Sequence, residues 1–127
     1  MKEIHYDAEG DILTINFLAT TEKPHIEKHV GFEIARNIVF YFDPVNEKPL
    51  EMILISYSRL VKYTRQSPLK LKKLSRYPKR MQRIALKLIQ QPPVSNFLEL
   101  KTSDTESYHA VRVKKLVLAP KILEEAA

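Results

Sequence analysis

Between residues 12 and 17 the chain alternates Ile12, Thr14 and Asn16 with Leu13, Ile15 and Phe17. Successive side chains of an extended backbone point to opposite sides, so this period-two pattern predicts a strand with one buried face. Residues 2–6 form a shorter mixed stretch, and Asp7-Ala8-Glu9-Gly10 lies between the two. Asp7 can accept from amides two residues on and Gly10 suits a left-handed backbone, which predicts a hairpin turn with Gly10 at positive φ. A further extended stretch is expected over 25–34, with Gly31 as a bend or bulge. Ile38-Val39-Phe40-Tyr41-Phe42 is dense in β-branched and aromatic side chains and ends at Asp43-Pro44, where proline cannot donate to a ladder. Residues 50–55, LEMILI, are apolar enough for a central strand. The N-terminal half is therefore expected to be an antiparallel β-meander.

The texture changes at Ser56. Ser67-Pro68 reads as an N-cap followed by proline at the first helical position, with a helical turn or two over 69–74. Tyr77-Pro78 opens a longer helix that runs to Gln91 and is stopped by Pro92-Pro93. At about 100° per residue, Met81, Ile84, Ala85, Leu88 and Ile89 share one face while Lys79, Arg80, Arg83 and Lys87 share the other. Beyond the prolines, 96–102 and 108–113 alternate like strands around the polar loop SDTE, a second hairpin that 114–119 would continue into a short acidic tail. The expected class is α+β: an N-terminal antiparallel β-meander with a basic amphipathic helix and a C-terminal β-hairpin. Its expected organisation is a meander over 1–56, a basic helical segment over 57–93 and a hairpin and tail over 94–127, packed as one domain.

Composition narrows the chemistry. A chain of 127 residues, 44% hydrophobic and 28% charged, suffices for one globular core. No apolar run approaches the roughly 20 residues of a membrane span and the first residues are too polar for a signal peptide, so a cytoplasmic protein without membrane association is expected. The absence of cysteine removes disulfides, zinc-thiolate sites and thiol nucleophiles. The net charge of +6 conceals an asymmetry: up to Leu60 there are 6 basic and 10 acidic side chains, and beyond it 15 basic and 5 acidic. Such a split points to an anionic partner for the second half, to mutual attraction of the halves, or to a charged protein partner.

Tyr6, Asp7, Glu9, Asp11, Leu13, Ile15 and Phe17, then Ile38, Val39, Tyr41, Phe42 and Asp43, then Leu50, Ile53 and Ser56 follow a recurring order and spacing. Over these first 60 or so residues the chain resembles the small prokaryotic proteins of domain-of-unknown-function family 2283. Asn37 stands where that family usually has glycine, and Leu50-Glu51-Met52 replaces a glycine before its last strand. The resemblance implies a compact β-rich module of antitoxin-like character, with a cognate toxin among its partners.

Several constellations carry candidate chemistry. Asp7, Glu9, Asp11 and Asp43 offer oxygens to a hard cation, but the calcium-loop spacing is missing and turn chemistry accounts for Asp7 and Gly10, so no metal is expected. His25 and His29 lack a third ligand nearby in sequence. Ser56 and Ser58 lack a nucleophile elbow, and two glycines in the chain cannot form a phosphate-cradling loop. No catalytic constellation and no cofactor are expected. Residues 62–87 differ in degree: ten Lys or Arg, no acidic residue, and Tyr57, Tyr63 and Tyr77 preceding or interleaved. Single-sign charge concentrates potential that neutralises phosphates and releases counterions. The chain is thus expected to be a non-enzymatic interaction module that binds nucleic acid or an acidic protein. Its contacts would be Lys79, Arg80, Arg83 and Lys87, widened by Lys70, Lys72, Lys73 and Arg76. The alternative is a structural or accessory subunit of a larger assembly. A homo-oligomer is compatible with either, although no heptad is visible.

Overall fold

The computed structural model of the chain describes residues 3–18, 29–101 and 109–115. The expectations for 19–28, including His25, for the SDTE loop and for the chain from 116 onward lie outside the described residues. Five strands, β1 Glu3–Asp7, β2 Ile12–Asn16, β3 Val30–Ala35, β4 Ile38–Asp43 and β5 Lys48–Ile55, form one antiparallel sheet in the order β1-β2-β5-β4-β3. Strands β3 to β5 run as a meander, and the β1–β2 hairpin lies on the other flank of β5. The LEMILI stretch is accordingly the central strand, as its composition predicts.

Alternation translates directly into packing. Two rows cross the sheet on its inner face, Leu13–Leu54–Ile38 and Ile15–Met52–Phe40–Phe32. All of these except Phe32 are wholly buried. The opposite face carries Thr14, Ile53, Val39 and Glu33 in one row, and Asn16, Glu51, Tyr41 and Gly31 in the next.

The two four-residue hairpins share one design. In the β1–β2 turn the Asp7 carboxylate accepts the amides of Glu9 and Gly10 at 3.1 and 3.2 Å. In the β4–β5 turn Asp43 accepts those of Val45 and Asn46 at 2.9 and 3.3 Å. Each loop closes on a left-handed residue, Asp11 at φ 54° and Glu47 at φ 52°. This corrects the assignment of positive φ to Gly10: the left-handed position is the last of the loop, where the chain must re-enter the ladder, and that residue is Asp11. Gly10 answers a different need, since a Cβ there would meet the Asp7 carboxylate at 2.9 Å.

Gly31 likewise is no bulge. The irregularity in β3 falls between Glu33 and Ala35. Gly31 pairs with Tyr41, whose ring lies over it so closely that a Cβ would sit 2.3 Å from the nearest ring carbon. Asn37, at φ 69°, ends the two-residue connection between β3 and β4, a conformation that asparagine tolerates better than most side chains.

The second half departs from expectation at its start. Helix α1 spans Tyr57–Gln66, inside the segment expected to be helical but ahead of the two helices placed there, and buries Tyr57, Leu60, Val61 and Thr64. Ser67 is the residue that ends α1, donating its amide to the Tyr63 carbonyl at 3.0 Å, rather than the cap of a following helix. Proline suits the position just after a helix end as well as the first turn of a helix, so Ser67-Pro68 fits both readings. Next come a short strand β6 Leu69–Lys70, a 3₁₀ helix Lys72–Arg76, helix α2 Lys79–Ile89, a 3₁₀ helix Val94–Asn96 and strands β7 Leu98–Lys101 and β8 Ala110–Val113. Strands β7 and β8 form the predicted antiparallel hairpin, and β6 joins its other side in the order β6-β8-β7.

One hydrophobic cluster runs through all these elements, from Leu13 to Val113. Helix α1 is tied to β8 by polar bonds. Thr64 donates its hydroxyl to the Leu60 carbonyl at 2.6 Å and accepts the Val113 amide at 2.8 Å, and the Tyr57 hydroxyl donates to the Lys114 carbonyl at 2.8 Å. No helix among the described residues is long and apolar enough to cross a membrane.

The close approach of Tyr41 to Gly31 yields a test of the sheet. Gly31→Val should destabilise by about 1–3 kcal/mol, the usual cost of overpacking. In a Tyr41→Ala background most of that penalty should vanish, as denaturant unfolding of the double-mutant cycle will show.

A candidate anion-binding surface on the 3₁₀ helix and α2

Each basic residue singled out in the sequence falls on a definite element. Lys70 lies in β6 opposite Ala110, and Lys72, Lys73 and Arg76 lie on the first 3₁₀ helix. Lys79, Arg80, Arg83 and Lys87 lie on α2. Helix α2 docks through Ile84, Ala85, Leu88 and Ile89, which leaves these four on the exposed arc as the periodicity predicts.

Lys73 and Lys87 are tied to the acidic half. Lys73 meets Glu33 of β3 at 2.5 Å, and Lys87 meets Glu47 of the β4–β5 turn at 3.0 Å. Both pairs are substantially exposed, so each is worth at most about 1 kcal/mol. Lys70 and Lys72 are engaged with other groups. Arg76, Lys79, Arg80 and Arg83 remain, exposed and without an ion pair among the described residues. A shallow open depression of about 680 Å³ runs along α2 past Lys79, Arg83 and Lys87, flanked by the amides of Gln82, Gln90 and Gln91. Neither α2 nor the 3₁₀ helix before it contains an acidic residue of its own, so Glu33 and Glu47 come to it from the sheet half.

The interleaved tyrosines divide. Tyr77 stacks on Phe32 of β3 with ring centroids 3.8 Å apart and planes 13° from parallel, so it docks the start of α2. Tyr57 is buried, edge-on to Tyr6 at 6.1 Å. Tyr63 alone of the three is open, 64% exposed on the outer face of α1. It stands in a cleft with Arg36 and Arg59, three residues that sequence reasoning left out of its site. Nothing in the chain links Arg36 to Arg59, which are 23 positions apart; only the fold brings the β3–β4 turn to the start of α1.

The acidic turn serves the fold. Ser56, the residue before α1, is left-handed at φ 57° and makes no side-chain cap. Asp11 supplies the cap from the adjacent β1–β2 turn, next to the Ile12–Ile55 pair. Its carbonyl accepts the Tyr57 amide at 2.9 Å, and its carboxylate accepts the Ser58 amide at 3.0 Å and the Ser58 hydroxyl at 2.6 Å. The same carboxylate accepts the Tyr6 hydroxyl at 2.7 Å. Asp43 lies beside Lys48 and the Asp7–Ile12 pair beside Ile55, at opposite ends of β5. At ~3.3 Å per residue that separates them by roughly 23 Å, too far to share an ion. Among the described residues no group of three or more His, Asp or Glu is arranged to hold a metal. His29 is exposed, its ring 5.2 Å from that of Tyr41.

Comparison with family models, with curated proteins and with solved structures finds no match for this chain. The fold and surface by themselves define a small α+β module that pairs an acidic β-sheet half with a basic helical face.

The Asp11 cluster has a pH signature. Burial pushes the Asp11 carboxyl up, but hydrogen bonds from the Ser58 hydroxyl, the Tyr6 hydroxyl and the Ser58 amide, with Arg59 nearby, outweigh it and hold the group below its ordinary value. The hydrogen bond to Asp11, with burial and the Asp11 charge behind it, pushes the Tyr6 phenol from its usual 10.0 to about 12. The lowered carboxyl adds stability that is fully present above the unfolded carboxylate range, near pH ~3.9, and lost as pH falls through the folded value. The raised phenol adds stability that is fully present below pH 10.0 and lost as pH rises through about 12. Asp11→Ala should lower stability near pH 7 by about 1–2 kcal/mol, as loss of a helix cap does. The difference from wild type should shrink in acid, and the Tyr6 titration, followed by phenolate absorbance, should return toward its usual value.

Proposed function

We propose that this protein is a small non-enzymatic interaction module that binds nucleic acid through the exposed basic face of α2 and the 3₁₀ helix before it. One observation supports the reading above the rest: Arg76, Lys79, Arg80 and Arg83 share one surface with no acidic neighbour in ion-pair range among the described residues, while Lys73 and Lys87 on either side are paired. A face meant only for solvent normally mixes signs, because like charges three or four residues apart on a helix repel. Guanidinium and ammonium groups held in this way contact phosphates as positioning groups, with affinity that depends on salt and little on sequence. An antitoxin-like role, implied by the resemblance of the first 60 residues, accommodates such a face alongside a protein partner.

The second reading is an accessory subunit of a larger assembly, favoured by the outer face of the sheet. There Ile12, Val39 and Ile53 are only partly buried and Ile55 is 38% exposed. In that case α2 would meet protein carboxylates.

With about four phosphates neutralised, affinity for a fluorescent oligonucleotide should fall roughly 100-fold between 50 and 200 mM salt. The double variant Arg80→Glu, Arg83→Glu should weaken binding at low salt and reduce the slope of log affinity against log salt by about two. A wild-type protein whose affinity is unchanged across that range overturns the reading. Isolation of the native complex as protein alone, free of nucleic acid, favours the accessory-subunit reading.

A further inference from the structure

A second surface of a different kind lies on the other helix. The β3–β4 turn and α1 enclose an open cleft of about 260 Å³ whose walls include Arg36, Asn37, Ser56, Arg59, Tyr63 and Ser67. Arg36 and Arg59 line it from separate elements, and neither has an ion pair among the described residues, though Arg59 lies near enough to Asp11 to help hold its carboxyl down. The rest of the exposed surface of α1 carries Lys62 and Arg65 and no acidic side chain. Tyr63 adds an aromatic face that is 64% exposed, while Val45 and Ile55 are the other large hydrophobic side chains standing open among the described residues.

The backbone around the cleft is held in an unusual state. Asn37 and Ser56, both lining residues, are left-handed at φ 69° and 57°, and the Asn37 carbonyl accepts the Ile55 amide at 2.9 Å, tying the turn to the end of β5, two residues before α1.

We propose that this cleft is a subsite for one nucleotide unit, with Arg36 and Arg59 holding the phosphate and Tyr63 stacking on the base. Guanidinium groups match phosphate oxygens with paired donors, and an exposed tyrosine ring offers a stacking platform to any base. A duplex keeps its bases stacked away from such a ring, so the unit is either a free nucleotide or part of a single strand. At about 260 Å³ the cleft is smaller than the ~300–1,000 Å³ of pockets that enclose a drug-sized ligand, so the unit would be seated in part and left in part open to solvent. The subsite does not depend on the α2 face and stands or falls separately from it.

The test is titration of the isotope-labelled full chain with adenosine monophosphate, with a ten-nucleotide single strand and with a duplex of equal length, following backbone amide shifts. Shifts at Arg36, Asn37, Arg59 and Tyr63 with the mononucleotide support a free-nucleotide subsite, and shifts with the single strand alone support a strand-binding one. Tyr63→Ala should weaken the interaction about tenfold, in the range of base–aromatic stacking. The Arg36→Ala, Arg59→Ala pair should remove the cleft shifts while those on α2 persist with the strand. Tyr63→Phe, which keeps the ring, should bind as wild type does and guards against a folding defect. Absence of cleft shifts with all three probes, or shifts confined to α2, overturns the proposal. So does an affinity for single strand unaffected by Tyr63→Ala and by the arginine pair.

Discussion

The arrangement of this molecule depends on one carboxylate that joins its own hairpin to a helix 47 positions further along the chain. Helix α1 begins without a side-chain cap of its own and without an acidic residue in its first turn, so its leading amides need partners from elsewhere. Asp11 provides them by virtue of the left-handed backbone that closes the β1–β2 turn, which aims both its carbonyl and its carboxylate at Tyr57 and Ser58. The negative charge also complements the positive end of the helix dipole. By fixing where α1 starts, this contact fixes where Thr64 meets the amide of β8 and where Tyr57 reaches Lys114, and so how the second sheet sits against the first.

The charge asymmetry of the chain resolves into two populations once folded. Glu33 and Glu47, both from the acidic half, reach across to Lys73 and Lys87 and pin the ends of the basic region. These exposed pairs hold little energy, and the docking of α2 rests on its apolar stripe and on the Phe32–Tyr77 stack. The pairs matter more as bookends, since between them Arg76, Lys79, Arg80 and Arg83 are left uncompensated among the described residues. Attraction between the halves, one of the alternatives in the sequence, is thereby confined to some residues of the surface and leaves others uncompensated among the described residues.

Much of the sheet was legible because a half-buried strand must alternate. The strands around Leu13, Phe40 and Met52 and the apolar stripe of α2 follow from that rule alone. Helix α1 was legible in principle: Tyr57, Leu60, Val61 and Thr64 fall at i, i+3, i+4 and i+7. It was obscured because two of the four carry hydroxyls, and because Ser67-Pro68 imitates a helix start. The short strand β6 had no signal, since two residues show no period and pair only because β8 lies beside them.

What the sequence determined by itself is therefore the local grammar: one-sided strands, Asp-led turns, an amphipathic helix and a block of positive charge, all set by neighbours within a few positions. Tertiary structure alone decided the left-handed role of Asp11, the divided fates of the three tyrosines, and which cations are neutralised. It alone brought Arg36, Arg59 and Tyr63 to one cleft. The reason is physical: hydrogen bonding, ion pairing and ring stacking act over a few ångströms of space, and these partners are tens of residues apart along the chain.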